Sequence, residues 1–206
     1  MKEKDGSNKS FWERFAFIYG TFMKKNDRCY EELCSLCIPY IKSDASVLEL
    51  ACGTGQLSFR LASKAKAWKA TDFSPEMIRQ TEKSNDIPSL DFEEQDATNL
   101  TFGDSSFDAV LIANGLHIMP DPDSALKEIH RVLKDGGILI APTFVYDSLR
   151  HRLKLFAMEK AGFKTFHRWK GSQYKAYLEG QGFKTLSFSI LDGNPLKECF
   201  IALTKT

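Results

Sequence analysis

Phe11, Phe15, Ile18 and Phe22 recur three and four positions apart, and the pattern predicts helix across residues 11–42. Ala45–Leu50 breaks that rhythm with an apolar run that predicts a strand ending in a glycine loop. Downstream the periods alternate. Gln56–Ala65 reads as a helix with Leu57 and Leu61 on one face, and Lys66–Thr71 as a short strand. Ser74 is placed to cap a helix that has Pro75 at its first position. Leu90–Glu94 is another short strand, and Phe107–Ala113 a continuously apolar one of the buried kind. Asp121-Pro122 opens the helix Asp123–Leu133, with Leu126, Ile129 and Leu133 inward. Asp135-Gly136-Gly137 then turns the chain into the strand Ile138–Phe144. Strands alternating with helices imply a parallel sheet covered on both faces.

The last part has a different rhythm. Asp147–Lys170 reads as helical and basic, and Ser172–Gln181 as a short helix ending at Gly182. Phe183–Ile190 and Leu196–Thr204 are two strands around the turn Asp192-Gly193-Asn194-Pro195, which predicts a terminal antiparallel hairpin.

Composition narrows the class. The chain has 206 residues with 28 basic and 27 acidic side chains, a net charge of +1, which argues against a surface given over to nucleic acid. The apolar runs are far too short to span a bilayer, and the polar stretch Met1–Ser10 lacks the apolar core of a signal peptide. A cytoplasmic protein with no transmembrane segment is expected. The five cysteines are Cys29, Cys34, Cys37, Cys52 and Cys199, an odd number without an export signal, so no disulfide framework is expected. Cys34 and Cys37 have the spacing of a metal pair, but no second pair completes a four-ligand set. They read as small buried thiols on a helix, and no metal site is expected.

The candidate chemistry lies in Val47-Leu48-Glu49-Leu50-Ala51-Cys52-Gly53-Thr54-Gly55-Gln56-Leu57. A strand runs into a loop of small residues beneath a helix N-terminus, where a ligand can approach the backbone closely. Asp72 ends the next strand, and a carboxylate there can accept hydrogen bonds from ribose hydroxyls. The dinucleotide fingerprint wants a third glycine where Ser58 stands. Glu49 is a poor neighbour for pyrophosphate and a good one for a cationic amine or sulfonium.

Further motifs follow in order. They are Thr71-Asp72-Phe73-Ser74-Pro75-Glu76-Met77, then Gln95-Asp96-Ala97, then Ser106 to Asp121 with Asn114-Gly115-Leu116-His117 at its centre. With the glycine loop they resemble the successive motifs of the class I S-adenosylmethionine-dependent methyltransferases. The match spans about residues 11–145, in the group that includes the ubiquinone and menaquinone biosynthesis enzymes. Ala51 stands where that family often has glycine.

The resemblance implies a Rossmann-like α/β fold, a mostly parallel seven-stranded sheet with helices on both faces and a reversed last strand. It implies a single domain: a helical lid over 1–43, a cofactor-binding core over 44–145, a substrate-side insertion over 146–181 and the hairpin over 182–206. It implies S-adenosylmethionine as cofactor. Gly53 and Gly55 would pass under its methionine part, with Glu49 near the amino group and Ala51 beside it. Asp72 would hold the ribose, with Phe73 and Met77 near the adenine and Asp96 and Ala97 at the adenine edge. Asn114 would line the methionine pocket and Tyr19 would sit near the methionine carboxylate. Phe11 and Trp12 resemble part of a lid, but Phe11, Trp12 and Phe15 at helical spacing are more often a core face.

For the acceptor, His117 is a candidate base or a wall of the pocket, with Tyr146, His151 and His167 as weaker candidates. The motifs of base-methylating enzymes are absent, so a small-molecule acceptor is expected, with nucleic acid not expected. RNA or protein methylation, or a non-catalytic cofactor-binding regulator, are the alternatives. Between Ser148 and Ala176 the basic residues Arg150, Arg152, Lys154, Lys160, Lys164, Arg168, Lys170 and Lys175 face one acid, Glu159. This is either a solvated face or a cover that favours an anionic or lipid-like acceptor.

Overall fold

Strand β1, Ser46–Leu50, is buried on both faces, and the sheet is built outward from it. It pairs in parallel with β2, Ala67–Asp72, on one edge and with β4, Phe107–Ile112, on the other. β3, Leu90–Glu94, lies beyond β2, and β5, Leu133–Ile140, beyond β4, both parallel. β8, Lys197–Lys205, then enters antiparallel to β5 and to β6, Thr143–Val145. β7, Phe183–Leu191, closes the outer edge of β8. The computed structural model describes residues 27–146, 165–192 and 196–206. Phe11, Trp12, Phe15 and Tyr19 lie outside the described residues, as do Arg150, His151, Arg152, Lys154, Glu159, Lys160 and Lys164 and the turn residues Gly193-Asn194-Pro195.

Helices cover both faces. On one side α1, Asp27–Cys37, packs Leu33 and Cys37 against Val47, Trp68 and Phe200. The short α2, Ser58–Leu61, and α3, Pro75–Glu82, follow β1 and β2. On the other side α4, Pro122–Val132, brings Leu126 and Ile129 onto Leu48, Val110 and Leu139. α5, Gly171–Gly180, adds Tyr174 and Leu178 to the same cluster. The caps are those the residue types demand. Ser74 Oγ accepts from the Met77 N–H at 3.3 Å, and Asp121 Oδ1 from the Ser124 N–H at 3.1 Å.

Among the described residues the sheet has eight strands rather than the seven expected, and Pro142 explains the difference. The predicted strand Ile138–Phe144 is interrupted there because proline has no N–H to give to the ladder. Its register with β8 runs on across the gap, with Ile140 opposite Ala202 and Thr143 opposite Cys199. Two further expectations are corrected. The helix Gln56–Ala65 contracts to α2 and a single tighter turn, Ala62–Lys64, because the preceding residues are used in the glycine loop. Residues 165–170 are not helical.

Candidate functional site

Ala51, directly after β1, takes φ +54°, a left-handed conformation that a side chain disfavours and glycine tolerates. The chain there turns away from the sheet into the loop 51–57. Three groups pin that loop. The Thr71 carbonyl accepts from the Cys52 N–H at 2.9 Å, Asp72 Oδ2 from the Gly53 N–H at 2.9 Å, and the Gly53 carbonyl from the Thr81 hydroxyl at 3.0 Å.

A cavity opens beside the loop, at the carboxyl ends of β1 and β4. Its lining includes Tyr30, Glu49, Ala51, Gly53 and Asn114. Gly53 has φ +55°, and a Cβ there would meet nothing within 4 Å. The two loop glycines differ. At Gly55, φ +72°, a Cβ would lie 2.6 Å from Thr81 Cγ2 and 2.8 Å from Phe59 Cε2, so that glycine serves packing rather than the cavity.

Glu49 is 2% exposed, and its Oε2 accepts from Ser58 Oγ and from Trp68 Nε1, each at 2.7 Å. Burial pushes its pKa up to about 7 against the pull of those two donors, with Asp72 adding to the rise. Among the described residues no cation pairs with it. Asp72 Oδ1 accepts from the Ser74 N–H at 2.9 Å, and the Phe73 N–H also donates to this carboxylate, which keeps lone pairs for a further donor. Burial also raises the Asp72 pKa, and the backbone donors oppose that rise.

Of the other predicted residues, Asn114 lines this cavity and Phe73, Met77, Asp96 and Ala97 do not. Phe73 is 41% exposed just past β2. Met77 is buried in the first turn of α3, and Ala97 is buried in the core. Asp96 spends an oxygen on the Thr98 N–H at 2.9 Å and its hydroxyl at 2.7 Å. Asn114, at φ +54°, lines the cavity, but its side-chain amide is turned to its neighbours. Nδ2 donates to Glu198 Oε1 at 3.0 Å, and Oδ1 accepts from the Phe144 N–H at 3.0 Å.

His117 does not belong to this cavity. It is 1% exposed, with Nδ1 3.0 Å from Thr143 Oγ1. Its carbonyl accepts from the Phe166 and His167 N–H groups, each at 3.1 Å. Burial, with a smaller push from His167, drives its pKa down to about 3. Such an imidazole is a weak base at neutral pH, and its contacts are those of a strut under the 165–167 segment. Tyr146 is buried beside Leu196, while His167 stacks on Trp169 at 5.0 Å between centroids.

Sequence reasoning missed Tyr30, Ser58, Trp68 and Glu198. Tyr30 carries the Arg60 guanidinium 5.6 Å from its ring centroid at the side of the cavity. Ser58 adjoins the loop motif, whereas no local motif marks the other three, because each reaches the site through strand register or helix packing. Among the described residues no group of histidines, cysteines and acids could hold a metal ion. Among them also no helix is long and apolar enough to cross a membrane.

The donor set fits S-adenosylmethionine. The open side of Gly53 leaves room against the backbone, Glu49 offers a carboxylate to a cation, and Asp72 retains acceptor capacity. Comparisons agree with that fit. Residues 48–141 match the family described as Methyltransferase domain. A demethylmenaquinone methyltransferase from Paenarthrobacter aurescens is 41% identical over 104 residues, covering 50% of this chain and 40% of that protein. The chain thus matches less than half the length of this relative. Among solved structures, the methyltransferase bound to the Trm112 activator from Haloferax volcanii superposes with a TM-score of 0.80 at 17% identity, covering 94% of this chain and 96% of that one. An S-adenosylmethionine-dependent methyltransferase from Thermotoga maritima gives 0.76 at 23% identity, covering 95% and 98%. At those identities the likeness is one of fold. Sequence match, sheet order and cavity together mean that residues 48–141 carry a methyltransferase domain, with S-adenosylmethionine as the implied cofactor.

Proposed function

We propose that the chain transfers a methyl group from S-adenosylmethionine to a small-molecule acceptor by in-line displacement. The observation that carries the reading is the cavity at the ends of β1 and β4, with room beside Gly53 and the buried Glu49 in its wall. When bound, the cofactor supplies a methyl group already activated on a sulfonium. The work left to the chain is binding, alignment and exclusion of water.

In this reading Glu49 accepts from the α-ammonium group, and the backbone at Ala51 and Gly53 lies along the methionine part. Asp72 accepts from the ribose hydroxyls. Phe73 offers an exposed ring face to the adenine, with Asp96 and Ala97 at its edge. Asn114 closes the wall through its backbone, and Tyr19 is carried over from the family resemblance. Met77 and Gly55 act as packing residues. His117 shapes the substrate side without taking a proton. An acceptor that must lose a proton then loses it to solvent or to its own ionisation before transfer.

The demethylmenaquinone enzyme among the relatives supports a small acceptor of quinone-like, lipid-like character. The basic run between Ser148 and Ala176 supports an anionic one. Isothermal titration calorimetry tests the cofactor step. S-adenosylmethionine and S-adenosylhomocysteine should bind and NADH should not, with Asp72→Asn weakening both by about 1.5–3 kcal/mol. A mass-spectrometric screen of quinols, phenols and amines tests the acceptor step, and binding without turnover across the panel would overturn it.

A further inference from the structure

We propose that Glu198 is a specificity-determining residue of the cofactor pocket. It is a carboxylate one side chain behind the wall that favours the sulfonium cofactor over its neutral thioether product. The inference rests on the cofactor reading above. Glu198 is 4% exposed on β8, on the face of the sheet that α1 covers. Its Oε1 accepts from Asn114 Nδ2 at 3.0 Å, and its Oε2 lies 3.6 Å from the Cys29 thiol that donates to it. Asn114 lines the cavity, and so does Tyr30, the residue next to Cys29. The carboxylate therefore braces the two elements that form this side of the wall, α1 and the end of β4.

Among the described residues its charge is unmatched. Across the ladder it faces Phe144 on β6 and Leu191 on β7, both apolar. α1 presents the thiols of Cys29 and Cys37, each pushed up in part by Glu198 itself. The turn after β4 presents only the neutral Asn114. Its neighbour Lys197 extends to Asp192, 3.4 Å away. The acids nearby are Glu49, whose field also reaches Cys37, and Glu32 on α1, whose field reaches Cys29. Among the described residues no cation compensates Glu198, and burial pushes its pKa up to about 7 against the Asn114 and Cys29 donors.

A buried carboxylate that titrates near neutrality next to a cavity weighs ligands by their charge. On methyl transfer the carbon–sulfur bond breaks with its electron pair left on sulfur, and the acceptor's lone pair forms the new bond. The sulfur passes from cationic to neutral, and nothing else on that ligand changes charge. Coulomb attraction across a poorly screened interior acts on the cationic form alone. Ionised Glu198 thus holds the substrate cofactor and loosens the spent one. Binding the cation in turn expels the proton from Glu198.

The test is the ratio of the dissociation constants of S-adenosylhomocysteine and S-adenosylmethionine, measured by calorimetry from pH 6 to pH 8. In the wild-type protein the preference for the sulfonium form should rise with pH by about threefold to tenfold. In Glu198→Gln the ratio should fall toward that of the low-pH wild type and lose much of its pH dependence. A residue that merely holds Asn114 would weaken both ligands alike and leave the ratio unmoved, which would overturn the proposal. A flat wild-type ratio across this range would overturn it too, and needs no folded variant. Binding of neither ligand would overturn the cofactor reading and this inference with it.

Discussion

The indole N–H of Trp68 donates to Glu49 Oε2 at 2.7 Å, from the strand beside the one that carries Glu49. Trp68 is 1% exposed, so the bond is made in a dry interior, and it holds the carboxylate in one rotamer together with Ser58. Trp68→Phe keeps most of the ring volume and removes the donor. It should cost about 1–3 kcal/mol of stability by urea denaturation, since a buried charged acceptor loses a partner. It should also weaken S-adenosylmethionine binding, which Trp68→Phe would leave intact if Glu49 did not face the ligand.

Glu49 and Glu198 have folded-state values pushed up to about 7, above the ordinary 4.5. Between those values the folded chain keeps protons that the unfolded chain has released. Stability is therefore greatest toward pH 4.5 as far as these two groups act, and falls as pH rises to about 7. The loss should be about 1–3 kcal/mol per group. Urea midpoints at pH 5 and pH 8 check this, and Glu49→Gln and Glu198→Gln should each flatten the slope.

Gly53 and Gly55 should fail in different assays. Gly53→Val adds a side chain toward the cavity, where a Cβ meets no protein atom within 4 Å. The folded protein should survive with about 1 kcal/mol of backbone strain, while cofactor affinity falls at least about tenfold. Gly55→Ala drives a methyl against Thr81 and Phe59 and should cost about 1–3 kcal/mol from overpacking before any effect on binding. Normal affinity in Gly53→Val would remove the loop from the ligand's surface.

Ala51→Gly should stabilise the protein. Ala51 holds φ +54°, a conformation about 1 kcal/mol easier for glycine. The thermal midpoint should rise by a few degrees with cofactor affinity retained. A fall in midpoint would mean that the Ala51 methyl contributes packing that outweighs the strain.

What could be read in advance was whatever the chain keeps local. The loop from Glu49 to Leu57 is contiguous, and its small residues announce a backbone that something approaches. Ser74 and Asp121 announce their helices by their caps. The break at Pro142 was written in the residue itself, although the run Ile138–Phe144 hid it. By contrast, the bond between Trp68 and Glu49 depends on how β1 and β2 align, and the one between Asn114 and Glu198 joins residues 84 apart. His117 reads the same from sequence whether it is a base or a buried strut. Its contacts with Thr143 and the 165–167 segment support the strut, and both partners arrive from elsewhere in the chain.

β8 has a consequence for how the protein comes into being. Among the described strands it comes after all the others in sequence, yet it lies between β7 on one side and β5 and β6 on the other. A growing polypeptide that has emerged only through β7 offers β5 as a bare edge, open to pairing with the wrong chain. It also has no Glu198 behind Asn114. The parallel half of the sheet can assemble as it is synthesised, but the final pairing joins segments far apart in sequence and comes slowly. Proteolytic loss of residues 197–205 would therefore erase an inner strand and part of the cavity's support.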